Sequence, residues 1–210
     1  MFSDGHFMGN GRWRALLFGG VFGLEGRALT QRDPSPPMKT PGLGSLSEAS
    51  GTWWVGHTRS RFEKAFAWDL HEKGIAYFLP MIRRVVFSGG RKRTRLMPLF
   101  PSYVFFAGDE QTHYLAMRTN RLCQTIAVTD QGKLTRELDQ VQLALDQQVE
   151  MDFYPHAALG KKCRVVSGPL RGIEGIVIQR DEKTRLVLQV SLLARGASLE
   201  IAPDLLEPAE

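Results

Sequence analysis

The sequence predicts an α+β domain over residues 52–150 and a small β-barrel over residues 160–210. In the first domain, short strand-like runs alternate with two segments whose apolar residues recur at helical spacing. In the second, short strand-like runs are separated by close turns that contain Gly and Pro. Together the two patterns indicate a chain of two domains.

The first domain is predicted to contain two helices and a strand that is buried on both faces. The first helix covers residues 61–73, and Gly74 ends it. The second covers residues 136–149, with Thr135 as its N-cap. Residues 103–106 are apolar on both faces, which indicates a central strand. The other predicted elements are strands at 53–58, 75–79 and 125–128, and a hairpin with arms at 85–87 and 91–96 around Ser88-Gly89-Gly90.

The most informative part of the second domain is residues 160–177, which read as a strand, a turn and a second strand. The basic first strand runs into Ser167-Gly168-Pro169, where Pro169 fixes φ and cannot donate a hydrogen bond to a sheet. The second strand begins at Gly175. Further strands are predicted at 186–192 and 198–201.

Two segments are predicted to lie outside the domains. Residues 1–51 are rich in Gly, Pro and Ser and are expected to form a disordered leader, because they cannot bury enough apolar surface to offset the entropy of ordering. Residues 151–159 carry Pro155 and are expected to form a linker.

The composition excludes several classes of protein. Lys and Arg number 27 against 22 Asp and Glu, an excess that permits a polyanionic partner without requiring one. Cys123 and Cys163 form no Cys-x-x-Cys pair, so no structural zinc site is expected, and free thiols suit a reducing cytoplasm. No run approaches the ~18 apolar residues of a membrane span. We therefore expect a cytoplasmic protein.

The sequence carries no catalytic signature. It lacks Gly-x-Ser-x-Gly, His-Glu-x-x-His and a phosphate-binding loop. Cys123 and His113 could be imagined as a nucleophile and its base, but no third group is available to orient the base. We expect no enzyme activity, no cofactor and no metal.

Two segments carry a resemblance to a known family. Residues 160–177 resemble the KOW motif, and Pro98-Leu99-Phe100-Pro101-Ser102-Tyr103-Val104-Phe105-Phe106 resembles the Phe-Pro-x-Tyr-Val segment of the NGN domain in NusG-family transcription elongation factors. The resemblance runs from Trp53 to the C-terminus. It implies an NGN domain with an antiparallel sheet flanked by helices, followed by a KOW/SH3-like barrel.

Within that family the chain resembles the specialised RfaH-type members. The similar segments are Leu79-Pro80-Met81-Ile82, Gly90-Arg91-Lys92-Arg93-Thr94 and Pro98-Leu99-Phe100-Pro101. Asn120-Arg121-Leu122-Cys123-Gln124 stands where the housekeeping factor usually has a Pro-Gly-Val stretch. The sequence therefore indicates the family but does not decide between its housekeeping and specialised members.

The resemblance implies that an aromatic surface binds the clamp helices of the largest RNA polymerase subunit. Phe100, Tyr103 and Phe105 are the candidates, since aromatic anchors bury much area at low entropic cost. The alternative is that all three are core. We favour contact for Phe100, which lies between two prolines, whereas Phe105 fits either role. His113-Tyr114-Leu115 lies where RfaH-type proteins carry a His-Thr-Thr element that touches the opposite side of the polymerase cleft, and only the histidine matches; the alternative is a surface or capping residue.

Cations at the hairpin tip and at the start of the first helix are candidates for binding DNA or RNA phosphates in the elongation complex. The alternative is a solvated hairpin that protects a sheet edge. The candidate residues are Arg59, Arg61, Arg91, Lys92, Arg93 and Arg95.

The resemblance also implies that loops of the barrel recruit a small-subunit ribosomal protein or the termination factor Rho. The candidates are Leu170, Arg171, Leu192 and Leu193, with core packing expected more for Leu192 than for Leu170 or Leu193. Some RfaH-type proteins refold this domain into a helical hairpin, and the barrel is our expectation here.

The function that the resemblance implies is that of a monomeric, non-catalytic factor that promotes processive elongation and antitermination. The alternative is a ribosome-associated or RNA-binding KOW protein that acts without polymerase.

Overall fold

The computed structural model describes residues 35–156, 158–180 and 182–209. Three short 3-10 turns occur at Leu46–Glu48, Ser191–Leu193 and Pro203–Leu205. The strands and helices, in chain order, are β1 (Thr52–Thr58), α1 (Glu63–Glu72), β2 (Ala76–Phe78), β3 (Met81–Ser88), β4 (Arg91–Pro98), β5 (Tyr103–Gly108), α2 (Glu110–Met117), β6 (Leu122–Ala127), α3 (Gln131–Asp146), β7 (Met151–Tyr154), β8 (Lys161–Val165), β9 (Glu174–Arg180), β10 (Lys183–Val190), β11 (Arg195–Glu200) and β12 (Leu206–Pro208).

The first domain is built on an antiparallel sheet in the order β2-β5-β1-β6. Successive side chains of a strand point to opposite faces of the sheet. Val104 and Phe106 pack on one face with residues of α1 and α2, including Phe66 and Ala116. Phe105, on the other face, belongs to a cluster that includes α3. Because both faces are covered, β5 is the central apolar strand that the sequence predicted.

The C-terminal region forms a six-stranded antiparallel sheet in the order β12-β8-β9-β10-β11-β7. It fits a KOW/SH3-like domain, as predicted. The segment Leu186–Val190 lies in β10 and is strand, not helix. Its residues are Leu and Val apart from Gln189, a composition that favours a strand.

Helix α3 lies between the two sheets. Leu134, Leu138, Val141 and Ala144 are buried in a cluster that holds Phe105 of the first sheet and Leu188 of the second. Glu137 and Gln140 form hydrogen bonds to the C-terminal region. The helix is therefore buried by both domains, a feature that its single predicted apolar stripe does not indicate.

The start of α3 corrects the predicted cap. The helix begins at Gln131, and Asp130 is its N-cap, because the Asp130 carboxylate accepts a hydrogen bond from the Lys133 amide (2.8 Å). Thr135 lies inside the helix and its hydroxyl donates to the Gln131 carbonyl. Helix α2 was not predicted at all, although Asp109 caps it in the same way. Gly74, with φ of 66°, follows α1 as expected.

The predicted leader and linker both contain ordered structure. Leu46 is fully buried, its carbonyl accepts a hydrogen bond from the Trp53 indole (3.1 Å), and Lys39 forms a β-bridge with Phe78. The prediction of a disordered leader is therefore wrong for residues 35–51, because Leu46 supplies apolar surface that completes the core. Residues 1–34 lie outside the described residues. The predicted linker 151–159 begins with strand β7, which pairs with β11.

Candidate functional site

Phe100 and Phe105 lie in the core of the first domain. Phe100 is 1% exposed and Phe105 is not exposed. Their rings meet edge to face, with centroids 6.1 Å apart. The Phe100 carbonyl accepts a hydrogen bond from the Tyr103 amide, which closes a turn that folds the Phe100 ring back under β5. The expectation that its flanking prolines keep Phe100 out of the core is therefore wrong.

Tyr103 is the part-exposed member of the predicted aromatic set. It pairs with His57 of β1 across the sheet, and the two rings stack with centroids 5.1 Å apart. The guanidinium of Arg195, in β11, lies 5.0 Å from the Tyr103 ring centroid and 5.7 Å from that of Phe153. Arg195 of the C-terminal sheet thus covers the Tyr103 ring, which is the part-exposed ring of this aromatic set.

His113 is held by neighbours on the opposite side of the first sheet. Its ring stacks on Trp54 (4.3 Å between centroids), and its Nε2 forms a hydrogen bond with the Thr125 hydroxyl (2.9 Å). The side chain is half-buried. These contacts support a structural role and leave part of the ring for a partner.

The β3–β4 hairpin carries the predicted cationic cluster at its surface. Its two-residue turn is Gly89-Gly90, in which both residues have positive φ (58° and 72°), as a tight hairpin requires. Arg61 lines a depression of about 380 Å³ at the base of the hairpin together with Met97 and Pro98. Arg59 is exposed in the connection from β1 to α1. Arg91, Lys92, Arg93 and Arg95 are all exposed.

The barrel candidates divide in the opposite way from the prediction. Leu170 (8% exposed) and Leu193 (9% exposed) are buried in the cluster that contains α3, whereas Leu192 (37% exposed) and Arg171 are exposed. The 3-10 turn at Ser191–Leu193 buries Leu193 and exposes Leu192, whereas the sequence predicted a strand that ends at Leu192.

Polar contacts fasten the C-terminal sheet to α3. The Glu137 carboxylate accepts hydrogen bonds from the Ser191 amide (2.9 Å) and hydroxyl, and the Gln140 side chain accepts one from the Glu174 amide (2.6 Å). Hydrogen bonds from Lys162 and then Arg164 hold the pKa of the Glu174 carboxyl below its ordinary value. Glu174, the first residue of β9, thus joins the C-terminal sheet to α3.

The sequence did not single out three residues that this arrangement brings forward. His57 could have been found, because strand alternation puts it opposite Tyr103 on the same face. Phe87 is visible as a lone aromatic residue within a basic hairpin. Arg195 carries no signal, since its contact with Tyr103 depends on how the two sheets pack.

Among the described residues, no group of three or more His, Cys, Asp or Glu side chains is placed to hold a metal ion. None of the described helices is long and apolar enough to span a membrane.

Comparison with known proteins identifies the family. Residues 51–140, which include β1 to β6 and the start of α3, match the family described as "NusG: Transcription termination factor nusG". This part of the chain, residues 51–140, therefore belongs to the NusG family, a family of transcription factors. No curated protein sequence matches the chain.

Two solved structures are similar to most of the chain. The structure titled "Domain interaction in Thermotoga maritima NusG" has 17% sequence identity and a TM-score of 0.40, and the match covers 76% of this chain and 97% of that one. The structure titled "Crystal Structure of MjSpt4:Spt5 complex conformation B" has 12% identity and a TM-score of 0.23, with coverage of 75% and 97%. At these TM-scores neither likeness bears on the function of this chain.

Proposed function

We propose that the chain is a transcription elongation factor that binds RNA polymerase through the stacked pair Tyr103 and His57. The observation that carries this proposal is the position of Tyr103, the accessible edge of an otherwise buried aromatic face, inside the segment that matches the NusG family. A part-exposed aromatic pair on a rigid sheet suits a binding hot spot, because it buries area at low entropic cost. The expected partner surface is the clamp helices of the largest subunit.

Phe100 and Phe105 would support this contact from beneath. Both are buried, and the edge-to-face contact of their rings fixes the start of β5, where Tyr103 lies. A substitution at either position would weaken polymerase binding through loss of the fold. This differs from Tyr103, whose substitution would remove contact area from a fold that persists.

The bound factor would favour elongation by holding the polymerase in its closed form. A ligand shifts an equilibrium by its differential affinity for the two states, so a protein that bridges the closed cleft disfavours the opened, paused state. His113, on the opposite side of the sheet from Tyr103, would supply the second contact. Hairpin cations would bind DNA phosphates and orient the factor.

The C-terminal sheet would separate from α3 when polymerase binds. Arg195 covers Tyr103 in this arrangement, and Leu170 and Leu193 are buried. Separation would expose all of these side chains together, so that polymerase binding frees the barrel to recruit a ribosomal protein or Rho at raised effective concentration. Leu192 and Arg171 are accessible before separation.

The test is affinity purification of the tagged full chain with identification of its partners by mass spectrometry. We expect RNA polymerase subunits to be enriched. Tyr103→Ala should lose them, and Phe87→Ala, an exposed aromatic residue on the hairpin, should keep them. Enrichment of ribosomal subunits without polymerase would contradict the proposal and support a ribosome-associated KOW protein.

The remaining parts of the proposal follow from this function. A polymerase factor would be cytoplasmic, would act without catalysis or a cofactor, and would work as a monomer. Specialised antitermination of the RfaH type is proposed from the three sequence segments named above.

A further inference from the structure

The pairing register of the β3–β4 hairpin separates its side chains into two different faces. Residues directly opposite each other in an antiparallel pair share a face. Arg84 pairs with Arg95, Val86 with Arg93, and Ser88 with Arg91. One face, called here the arginine face, therefore carries Arg84, Arg91, Arg93 and Arg95. The other, called here the Phe87 face, carries Val85, Phe87, Lys92 and Thr94.

The arginine face is arranged for an anion. Residues 81–98 contain six cations and no Asp or Glu. Arg84 and Arg95 are directly opposite each other, and like charges in such a pair are destabilising. Within the part of the chain that the structure describes, Asp152 is the one acid that pairs with a hairpin cation, at 3.4 Å from Arg84. An anionic ligand would relieve this repulsion.

The Phe87 face presents aromatic and apolar surface beside those cations. Phe87 is 78% exposed and Val85 is 49% exposed, and Lys92 is directly opposite Phe87. A hairpin that only protects a sheet edge requires charge and no exposed aromatic ring. A ring next to cations is what proteins use to bind nucleic acid, because bases stack on the ring while the cations contact phosphates.

We infer that the hairpin tip binds single-stranded DNA, with one unpaired base stacked on Phe87 and the neighbouring phosphates held by Lys92 and the arginine face. This inference rests on the proposed contact of the hairpin cations with nucleic acid and adds the residue that selects unpaired strands. Duplex DNA would meet the arginine face alone, because its bases are already stacked on one another.

The chemistry of the hairpin favours DNA with little sequence preference. Residues 81–98 contain no Asn or Gln, which read adenine in pairs of hydrogen bonds, and no Asp or Glu, whose carboxylates accept a hydrogen bond from cytosine or from a ribose 2′-hydroxyl. Val85, next to Phe87 on the same face, suits contact with a thymine methyl group. A thymidine oligonucleotide is therefore the appropriate probe.

The test measures binding of the full chain to fluorescently labelled oligonucleotides of about 15 nucleotides, without polymerase. The probes are single-stranded oligothymidylate, a duplex of matched length and oligouridylate. We expect Phe87→Ala to weaken oligothymidylate binding about 5-fold to 100-fold and to leave duplex binding unchanged. Phe87→Trp should keep the affinity, whereas Phe87→Leu, which keeps the apolar bulk without a π-face, should behave like Phe87→Ala.

Several outcomes would overturn the inference. Equal affinity of Phe87→Leu and the parent would mean plain apolar contact, and an equal loss on duplex would mean that no unpaired base is selected. Tighter binding of oligouridylate than oligothymidylate would overturn the assignment to DNA. Arg93→Gln should reduce the salt dependence on all three probes. If Arg93→Gln reduces the salt dependence but Phe87→Ala leaves the affinity unchanged, the cations contact the phosphates and Phe87 does not stack on a base, which would overturn the inference about Phe87.

Discussion

The aromatic segment around β5 and the tip of the β3–β4 hairpin both carry residue types that suit partner binding, but the fold buries the first and exposes the second. Around β5, Phe100 and Phe105 are buried, and Arg195 covers Tyr103. On the hairpin, Phe87 is 78% exposed. The aromatic face is thus covered within the chain, whereas the hairpin is open to solvent.

The difference follows from the neighbours of each aromatic residue. Phe105 lies in a strand that is apolar on both faces and that pairs with strands on both sides, so its ring has partners within the fold. Phe87 lies in a two-stranded sheet among cations, where only Val85 and Val86 are apolar neighbours in the strand. An aromatic residue among charges at the end of a hairpin is therefore the stronger candidate for a contact.

The largest expected contrast is in stability. Phe105→Ala should lower the free energy of unfolding by about 3–5 kcal/mol, because it removes a fully buried ring and leaves a cavity. Phe87→Ala should change it by no more than about 0.5 kcal/mol, because the ring is exposed. Urea unfolding followed by circular dichroism measures both. Similar losses for the two variants would mean that the comparison of the two regions is wrong.

The next effect is on nucleic-acid affinity. Replacing Arg91, Lys92, Arg93 and Arg95 together by Gln should reduce the slope of log affinity against log salt by roughly 3 for a single strand, since each neutralised phosphate contributes about 0.7. Fluorescence anisotropy over a range of salt concentrations measures the slope. The same change at four cations of the C-terminal region, Lys161, Lys162, Arg171 and Lys183, should leave it unaltered. An unaltered slope in the hairpin variant would mean that these cations bind no phosphate and that the hairpin only protects a sheet edge.

A smaller effect on stability is expected at the N-cap of α3, the helix that packs in one cluster with Phe105 of β5. Asp130→Ala should cost about 1 kcal/mol of stability, because the Lys133 amide loses its acceptor. Asp130→Asn should keep most of that stability, since Asn is an equally good cap. Thermal unfolding of the two variants checks this. Equal melting temperatures for Asp130→Ala and the parent would show that the Asp130 cap contributes nothing to the stability of the fold.

The smallest effect concerns the acid stability of the C-terminal sheet. The Glu174 pKa is lowered in the folded state, so its contribution is present above the unfolded pKa, near 4.5, and is lost as the pH falls through the lower folded value. Glu174→Gln should therefore remove less than about 1 kcal/mol at neutral pH, because the pair is partly solvated. The difference from the parent should shrink as the pH falls below 4.5. Unfolding measured at several pH values tests this, and a difference that grows in acid would contradict it.

The sequence predicted most of the fold but only part of the candidate site, since it singled out Tyr103 and the hairpin cations and missed His57, Phe87 and Arg195. Strong periodic signals identified β5, the hairpin turn at Gly89-Gly90 and the strand at Leu186. Helix α2 was missed because its eight residues, of which Ala116 is buried, show no apolar stripe. The cap at Asp130 was missed because Gln131 to Lys133 are polar and hide the start of the helix.

The remainder could not be predicted because it depends on packing between the two sheets. The contact of Arg195 with Tyr103, and the hydrogen bond from the Ser191 amide to Glu137, form only when the C-terminal sheet lies against the first domain. Local periodicity describes which face of an element is apolar. It does not describe which distant element covers that face.

The central claim is that Tyr103 binds RNA polymerase and that Arg195 competes for the same ring. The affinity of the purified chain for RNA polymerase lacking nucleic acid, measured for Tyr103→Ala and Arg195→Ala with melting curves as controls for folding, tests it directly. We expect Tyr103→Ala to weaken binding at least about 10-fold, as hot-spot residues do. We expect Arg195→Ala to strengthen binding about 2-fold to 5-fold, the worth of an exposed cation–π contact. Parent-like affinity of folded Tyr103→Ala, or a loss of binding in both variants, would contradict the account.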